Sequence, residues 1–294
     1  MIINRLSRLF VILVITLFVP SKALSQNEML IGLIPEENIF NQMERYRPLA
    51  DYLSGKIGVK VKLTILSRYG SIVDSFVTRK MDGAFFGIFT GVLAMEKLGV
   101  EPVARPLNLD GKSTVNSYIF VKKDSGIKTV KDMRGKRIVF VDKLTATGYL
   151  FAIAFLREKG VQDIDKYFGE YFFTGSHGSA VYSVLDNRAD IGSAKSKVFN
   201  RMVEKDPAIK DELNIIAKSD EFPDTTLCIR KDLPSEIKTK IKQVLLNMDR
   251  DPEGNEILKK FGALKFIDAD KKDFQPFFEL AKKAGINIKN YRYK

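Results

Sequence analysis

A repeated alternation of short β-rich runs with amphipathic stretches, beginning at residue 29, is the feature that most constrains the fold of this chain. Residues 29–34 form an apolar run typical of a strand. Residues 40–54 then place apolar side chains at helical spacing, and Gly55 follows as an expected stop. A further strand is predicted at residues 59–66. Because strands that alternate with helices assemble into mostly parallel sheets, the sequence predicts an α/β fold.

The alternation restarts near residue 115, which indicates a second α/β unit, and from residue 235 onward the pattern predicts helices only. No linker separates the units, so we expect two lobes that the chain crosses near residues 117–123 and 219–229. Strands at such crossings act as hinges because a few residues absorb the rotation. The predicted division is a leader at residues 1–25, lobe 1 at residues 26–119 and 224–294, and lobe 2 at residues 120–223.

The first 25 residues have the composition of a signal peptide. Arg5 and Arg8 precede an apolar run at residues 9–19, and Ala23 and Ser25 supply the small residues of a cleavage site. An uncleaved anchor is the alternative, although about 20 apolar residues are needed to span a bilayer. No cysteine lies near the site, so a lipoprotein anchor is not expected. We expect an exported, periplasmic protein cleaved after Ser25.

Composition removes several classes of protein. The chain has 294 residues but one cysteine and one histidine, so a disulfide framework, a Cys-rich metal site and paired imidazole ligands are excluded. We expect no metal and no cofactor. The net charge is +12, and loss of the three basic residues of the leader would leave +9. These charges are scattered along the chain, so a nucleic-acid partner is not expected.

The segment between a predicted strand and a buried helix at residues 141–149 is the first candidate site. Thr145 and Thr147 can donate O–H groups there, and the N–H groups of a helix start, near Ala146, favour an anion. Gly148 would let a ligand approach the backbone closely. The alternative is that Thr145 or Thr147 is only an N-cap.

His177 is the second candidate, because it lies between Gly175 and Gly178 at the start of another predicted helix. It could donate to an anion as imidazole or imidazolium, since its charge can change near neutral pH. The alternative is a surface or capping residue. No Gly-x-Ser-x-Gly motif accompanies it, and Cys228 lies in an apolar strand, so hydrolase chemistry is not indicated.

Two further candidates lie in the first unit. Tyr69 and Thr90 follow predicted strands, and open α/β sheets bind ligands at the carboxyl ends of their strands. For Tyr69 the alternative is an amphipathic side chain that covers the edge of the lobe. Together the candidates supply hydroxyls and helix starts but no cluster of bases. That combination indicates an anion-binding cleft without catalytic groups.

Six short motifs, in this order, resemble the phosphate/phosphonate-type substrate-binding proteins of ABC transporters, which have the type II periplasmic-binding-protein fold. The motifs are IGLIP at 31–35, YRPLADYL at 46–53, GIFTGVLA at 87–94, LTATG at 144–148, GSH at 175–177 and RKDLP at 230–234. The resemblance covers the whole expected mature chain. It implies two lobes, each a mostly parallel sheet flanked by helices, and two hinge strands.

The resemblance also implies roles for particular residues. Tyr69, Thr90, Thr145, Thr147 and His177 would hold the oxygens of a phosphonate, together with backbone N–H groups near Ala146 and Thr147. Ala146 departs from the family pattern because it replaces a hydroxyl residue. Gly91 stands where many relatives carry an aromatic residue, which could widen the pocket. Residues 194–196 contain no carboxylate of the kind that holds a ligand's amine, so a ligand without an amine is expected.

The expected function is therefore that of an exported, non-enzymatic receptor, a monomer that captures phosphonate, phosphite or phosphate for an ABC permease. Two alternatives remain open at the level of sequence. One is a sensory protein that reports ligand to a membrane histidine kinase. The other is a secreted enzyme on the same scaffold.

Overall fold

The computed structural model describes residues 28–291, in which two mixed β-sheets are flanked by helices and joined by a short two-stranded ribbon. The strands are β1 (Glu28–Leu33), β2 (Lys60–Ile65), β3 (Gly83–Phe86), β4 (Glu101–Asn108), β5 (Thr114–Val115), β6 (Ser117–Lys122), β7 (Arg137–Phe140), β8 (Glu170–Phe173), β9 (Ile191–Lys195), β10 (Leu213–Lys218), β11 (Phe222–Pro223), β12 (Thr226–Ile229) and β13 (Ala263–Asp268). The α-helices are α1 (Ile39–Ile57), α2 (Ser71–Thr78), α3 (Ile88–Leu98), α4 (Phe151–Glu158), α5 (Ile164–Tyr167), α6 (His177–Leu185), α7 (Ser196–Lys205), α8 (Ala208–Glu212), α9 (Ser235–Leu246), α10 (Pro252–Phe261) and α11 (Gln275–Lys283).

Each large sheet has most of its strands running in one direction. The first has the order β13-β4-β12-β3-β1-β2, and β12 and β13 run against the other four strands. The second has the order β10-β6-β9-β7-β8, and β6 alone among its five described strands is reversed. The predicted α/β class with mostly parallel sheets is therefore confirmed. The reversed strands β6 and β12 each follow a passage of the chain between the sheets.

Local sequence explains where the first helix begins and ends. The Asn38 side chain caps α1 by accepting a hydrogen bond from the Phe40 N–H at 2.9 Å. The helix does not stop at Gly55, as expected, but at Gly58, whose φ of 74° is one that glycine adopts without steric cost. This geometry places the start of α1, with the preceding Glu36, at the carboxyl end of β1.

The chain passes between the two sheets next to the ribbon formed by β5 and β11, which pair antiparallel. The second passage falls within the expected residues 219–229. The first lies earlier than expected, because β6, from Ser117 onward, is already a strand of the second sheet. The expected lobe boundary at residue 119 thus falls inside β6. Two short strands, β5 and β11, lie at these passages; that they act as the two hinge strands implied by the resemblance stays a prediction.

The C-terminal part of the chain differs from the expected run of helices. Residues 263–268 form β13, an edge strand of the first sheet paired with β4. Its pattern, with Ala263 and Phe266 buried and the residues between them exposed, is too short and irregular to stand out from helical spacing. The long helix expected at residues 271–284 is instead a 3₁₀ turn (Lys271–Phe274) followed by α11.

The C-terminal segment of the described chain, from α11 to Tyr291, contacts both α/β units and not only the first. Helix α11 packs against α4, and Lys283 pairs with Glu158 at 3.1 Å. The ring of Phe277 also packs against that of Phe89 of α3, tilted by 42° with the ring centroids 4.7 Å apart. The hydroxyl of Tyr291 donates to the Lys143 carbonyl at 3.2 Å. This segment therefore ties the two units together, and the 3₁₀ turn just before it also contacts strand β11 of the ribbon.

No helix among residues 28–291 has the length and apolar character needed to cross a membrane. The predicted leader and its cleavage after Ser25 lie outside the described residues.

Candidate functional site

A small cavity lies between the two sheets' units, at the carboxyl ends of their parallel strands. The volume inside it that the centre of a water molecule can occupy is about 30 Å³. A single buried water needs about 10–15 Å³ on that measure, so the cavity fits a compact ligand. The lining residues are Ile34, Glu36, Tyr69, Gly87, Ile88, Phe89, Val115, Leu144, Thr145, Ala146, Thr147, His177, Lys195, Pro223 and Thr225. Five of the six residues predicted from the sequence are among them.

Residues 146–150 begin the helix after β7 with a π turn, Ala146–Leu150, and continue into α4. Thr145 occupies the N-cap position, yet its side chain caps no N–H; its hydroxyl donates to the Asp142 carbonyl at 2.6 Å. The hydroxyls of Ser117 and Ser193 hold the Thr147 carbonyl at 2.5 Å and 3.3 Å. The first N–H groups of a helix have no acceptor within it, so this turn presents donors to the cavity wall.

Gly148 serves the packing of the chain and not the approach of a ligand. A Cβ at this position would lie 2.5 Å from Cγ2 of Val141, closer than side chains tolerate. The Gly148 carbonyl also accepts from the Val141 N–H at 3.2 Å. The expectation that this glycine opens the backbone to a ligand is wrong, since the strand end occupies that side.

His177 is the first residue of α6 and is 2% exposed. Its Nδ1 accepts a hydrogen bond from the Lys195 N–H at 3.1 Å, so a neutral ring carries its proton on Nε2. Burial lowers the pKa of His177 to about 3, against its ordinary value of 6.5. The expected change of charge near neutral pH is therefore corrected: His177 is a neutral donor, and the alternative of a surface residue is excluded by its burial.

Tyr69 follows β2 and lines the cavity, with its side chain 2% exposed. Its hydroxyl is buried and has no hydrogen-bond partner among the described residues. Burial raises the pKa of Tyr69 well above 10, so the group stays a protonated donor. Its ring lies edge-on to His177 with centroids 6.0 Å apart. A buried hydroxyl without a partner is costly, so this donor is available to an acceptor that enters the cavity.

Thr90 is the predicted site residue that the structure does not bring to the cavity wall. It lies in the first turn of α3, 1% exposed, and its hydroxyl donates to the Gly87 carbonyl at 3.1 Å. Gly91 does not widen the cavity either. A Cβ there would lie 2.8 Å from the ring of Phe274, so the C-terminal segment fills the space that an aromatic residue would take.

A buried cluster of charges forms a further part of the cavity wall, next to His177. The ammonium of Lys195, at the end of β9, lies 2.7 Å from Glu36 Oε1 and 2.6 Å from Asp224 Oδ1. It also donates to the Thr225 hydroxyl at 2.7 Å, and that hydroxyl donates to Glu36 at 2.9 Å. Lys197 pairs with the other oxygen of Asp224 at 2.8 Å. Glu36 and Asp224 belong to the first unit and Lys195 to the second, so the cluster joins the two.

Glu36, Asp224 and Lys195 are ionised, whereas burial lowers the pKa of Lys197. Burial alone would raise the pKa of Glu36, but the ammonium of Lys195 and its hydrogen bond lower it to about 2. Burial likewise opposes the charge of Asp224, yet Lys195 and Lys197 hold its pKa well below the usual range. For Lys195, burial is overcome by the two carboxylates, which raise its pKa. The charges therefore stabilise one another inside the protein.

The sequence did not single out Glu36, Lys195 or Thr225 as site residues. One usable signal was present. Glu36 follows β1 of the first sheet and Lys195 ends β9 of the second, so both lie at the carboxyl ends of strands, the kind of position that pointed to Tyr69. Their pairing across the two units depends on how the lobes meet, which no spacing along the chain reveals. No group of three or more His, Cys, Asp or Glu side chains within residues 28–291 is placed to hold a metal ion.

Two α/β units joined at a ribbon, with a cavity of hydroxyl, imidazole and helix-start donors between them, define a solute-binding protein with the type II periplasmic-binding-protein fold. The chain belongs to the family described as ABC transporter, phosphonate, periplasmic substrate-binding protein, whose model matches residues 31–274. That is a family of transport proteins and not of enzymes. The match gives no support to the sensory or enzymatic alternatives.

Curated relatives agree with this assignment. The chain is 26% identical to the probable ABC transporter phosphite binding protein PhnD1 of Prochlorococcus marinus, over 86% of this chain and 88% of the relative. It is 24% identical to the phosphonates-binding periplasmic protein of Escherichia coli, over 90% and 80% of the two chains. It is 28% identical to the phosphate-import protein PhnD of Mycolicibacterium smegmatis, over 72% and 69%.

Solved structures show the same fold. A binding-protein component of an ABC phosphonate transporter from Pseudomonas aeruginosa superposes with a TM-score of 0.82 at 22% identity, covering 88% of this chain and 87% of the other. PhnD1 from Prochlorococcus marinus in complex with methylphosphonate superposes with a TM-score of 0.79 at 24% identity, covering 88% and 99%.

Proposed function

We propose that this protein captures a small phosphorus oxyanion in the periplasm, holds it between its two lobes and delivers it to an ABC permease. The observation that carries the proposal is the buried Tyr69 hydroxyl without a partner among the described residues, facing a cavity that also presents His177 and the start of the helix after Thr145. Every one of these groups is a donor, and an oxyanion is the ligand that accepts from all of them.

The lining also bears on which oxyanion binds. Besides the donors, the cavity is lined by apolar side chains, among them Ile34, Phe89, Val115 and Leu144. A fourth oxygen on phosphorus directed at these groups would be unpaired, whereas hydrogen or a methyl group would not. The polar groups of Glu36, Lys195 and Thr225 also line the cavity, but they already pair with one another. We therefore expect phosphite or methylphosphonate to bind more tightly than phosphate. The small volume disfavours long alkyl substituents.

Closure and release follow from the arrangement of the lobes. The β5–β11 ribbon is the proposed hinge, and the lobes on either side meet through Glu36, whose carbonyl accepts the N–H groups of His177 and Gly178 at 3.0 Å and 3.3 Å. Opening would break these contacts and expose the donors to water. We also propose that the protein is periplasmic and monomeric, that its leader is cleaved, and that its partner is an ABC permease.

Isothermal titration calorimetry of the chain from Gln26 onward tests it, with phosphate, phosphite, methylphosphonate and 2-aminoethylphosphonate as ligands. We expect one-to-one binding of phosphite or methylphosphonate, and ³¹P spectra that show the ligand unchanged after long incubation. Absence of binding by all four compounds would contradict the proposal. Conversion of any of them to a product would replace the transport function with an enzymatic one.

A further inference from the structure

The buried ammonium of Lys195 lies where a cationic group of a ligand would find its acceptors. Its three oxygen neighbours, from Glu36, Asp224 and Thr225, lie at 2.6–2.7 Å. A primary ammonium has three hydrogens to donate, so this set satisfies the group fully. Lys195, Glu36 and Thr225 all line the cavity. Lys195 thus occupies, with its own ammonium, a set of oxygens that could otherwise bind an ammonium group of a ligand.

We propose that Lys195 is a specificity-determining residue that excludes phosphonates carrying an amino group; this rests on the proposed function, binding of a phosphorus oxyanion in the same cavity. A ligand ammonium would meet a cation and carboxylates that are already paired. Removing an ammonium from water without giving it a partner is strongly unfavourable, and a like charge nearby adds to that cost.

The arrangement also predicts a gain of binding when Lys195 is replaced. Glu36 and Asp224 would lose the ammonium that they share, and Glu36 and Thr225 would remain at the cavity wall as acceptors. A neutral residue at position 195 should therefore admit an amino group of the ligand in place of the lost side chain. Simple loss of stability would not produce such a gain.

Aminomethylphosphonate and ethylphosphonate form the test pair, because they differ by an ammonium in place of a methyl group of similar size. For the wild type we expect ethylphosphonate to bind at least about 100-fold more tightly than aminomethylphosphonate. For Lys195→Met we expect that ratio to fall at least about tenfold, through tighter binding of the amino compound. Calorimetry measures both dissociation constants, and thermal denaturation checks that the variant is folded.

Lys197→Met is the matched control. Lys197 pairs with the other oxygen of Asp224 but is not among the residues that line the cavity, so the ratio should stay at the wild-type value. The double variant Lys195→Met/Glu36→Gln removes one charge of each sign and guards against misfolding of the single variant. Its ratio should fall, but less than that of Lys195→Met, because one carboxylate acceptor is lost.

Several results would overturn the inference. The wild type could bind both members of the pair with similar affinity, or could reject ethylphosphonate as well, which would mean exclusion by size. Lys197→Met could change the ratio as much as Lys195→Met, or the double variant could keep the wild-type ratio. If the wild type binds methylphosphonate in any of these cases, only the inference fails. If it binds no phosphorus oxyanion at all, the proposed function fails with it.

Discussion

The wall of the cavity that carries Tyr69, His177 and the helix start after Thr145 presents neutral donors, whereas the wall that carries Glu36, Lys195 and Thr225 is built on buried charges. The neutral wall is held in place by backbone geometry, namely helix starts and strand ends. The charged wall is held by ion pairs between the two lobes. We propose that the neutral groups bind the anion and that the charges hold the two lobes together.

Removal of a carboxylate from the charged wall should have the largest effect on stability. Asp224 is 1% exposed and pairs with both lysines, so Asp224→Ala leaves Lys197 without its carboxylate partner and Lys195 with Glu36 alone. We expect a loss of about 3–5 kcal/mol in the free energy of unfolding, measured by urea denaturation. Glu236→Ala, which breaks the exposed pair with Lys240, is the control and should change nothing measurable. Equal effects would mean that burial of the cluster contributes little.

Lowering the pH should decrease the free energy of unfolding, because the imidazole of His177 in the neutral wall is buried in its uncharged form. The pKa of His177 is about 3 in the folded protein and 6.5 as an ordinary value, so the unfolded chain binds the proton first. Stability is therefore fully present above pH 6.5 and falls as the pH drops toward 3. In this window the wild type should lose up to about 1.4 kcal/mol per pH unit more than His177→Asn, which cannot be protonated.

Urea denaturation at about pH 7, 6, 5 and 4, which spans this window, gives the two slopes. The amide oxygen introduced by His177→Asn can still accept from the Lys195 N–H, so the comparison isolates protonation. The carboxylates of the charged wall titrate in both proteins and cancel in the difference. Parallel slopes would show that the imidazole is protonated as easily in the folded state as in the unfolded one.

Loss of the His177 donor should weaken ligand binding more than any other single change in the neutral wall. A hydrogen bond to a charged partner contributes about 1.5–3 kcal/mol, so His177→Ala should raise the dissociation constant of methylphosphonate about 10- to 100-fold. His177→Gln can place an N–H near the Nε2 position and should recover part of that loss. If both variants bind like the wild type, the imidazole does not contact the ligand.

Tyr69→Phe should weaken ligand binding without lowering the stability of the ligand-free protein. The Tyr69 hydroxyl has no partner among the described residues, so its removal should leave the melting temperature of the ligand-free protein unchanged or slightly raised. Binding of methylphosphonate should nevertheless weaken about tenfold, since the ligand loses a donor. A lower melting temperature together with unchanged affinity would contradict the role assigned to this hydroxyl.

Thr90→Val should have the smallest effect on binding, because the hydroxyl of Thr90 donates to the Gly87 carbonyl and the residue does not line the cavity. We expect the dissociation constant to change less than about threefold, within the effect of one locally satisfied hydrogen bond. A loss as large as that of Tyr69→Phe would place Thr90 in the site when ligand is bound.

The sequence predicted the residues of the neutral wall but not those of the charged wall, for a physical reason. Tyr69, Thr145 and His177 each lie between a strand and a helix, and that local arrangement alone directs donors toward a sheet edge. Periodicity also gave most of the elements, because strands and helices differ in the spacing of their apolar residues. It missed β13, a short strand that pairs with β4, far earlier in the chain.

The sequence by itself determined the α/β class, the two-lobed family and the segments that carry the donors, because these depend on residues close together in the chain. Only the tertiary structure determined whether those donors are charged and whether they have hydrogen-bond partners. Burial between the lobes fixes His177 as neutral and leaves Tyr69 without a partner among the described residues. It also brings Lys195 to Glu36, 159 residues apart. Such contacts arise from how two lobes meet, and no local pattern encodes them.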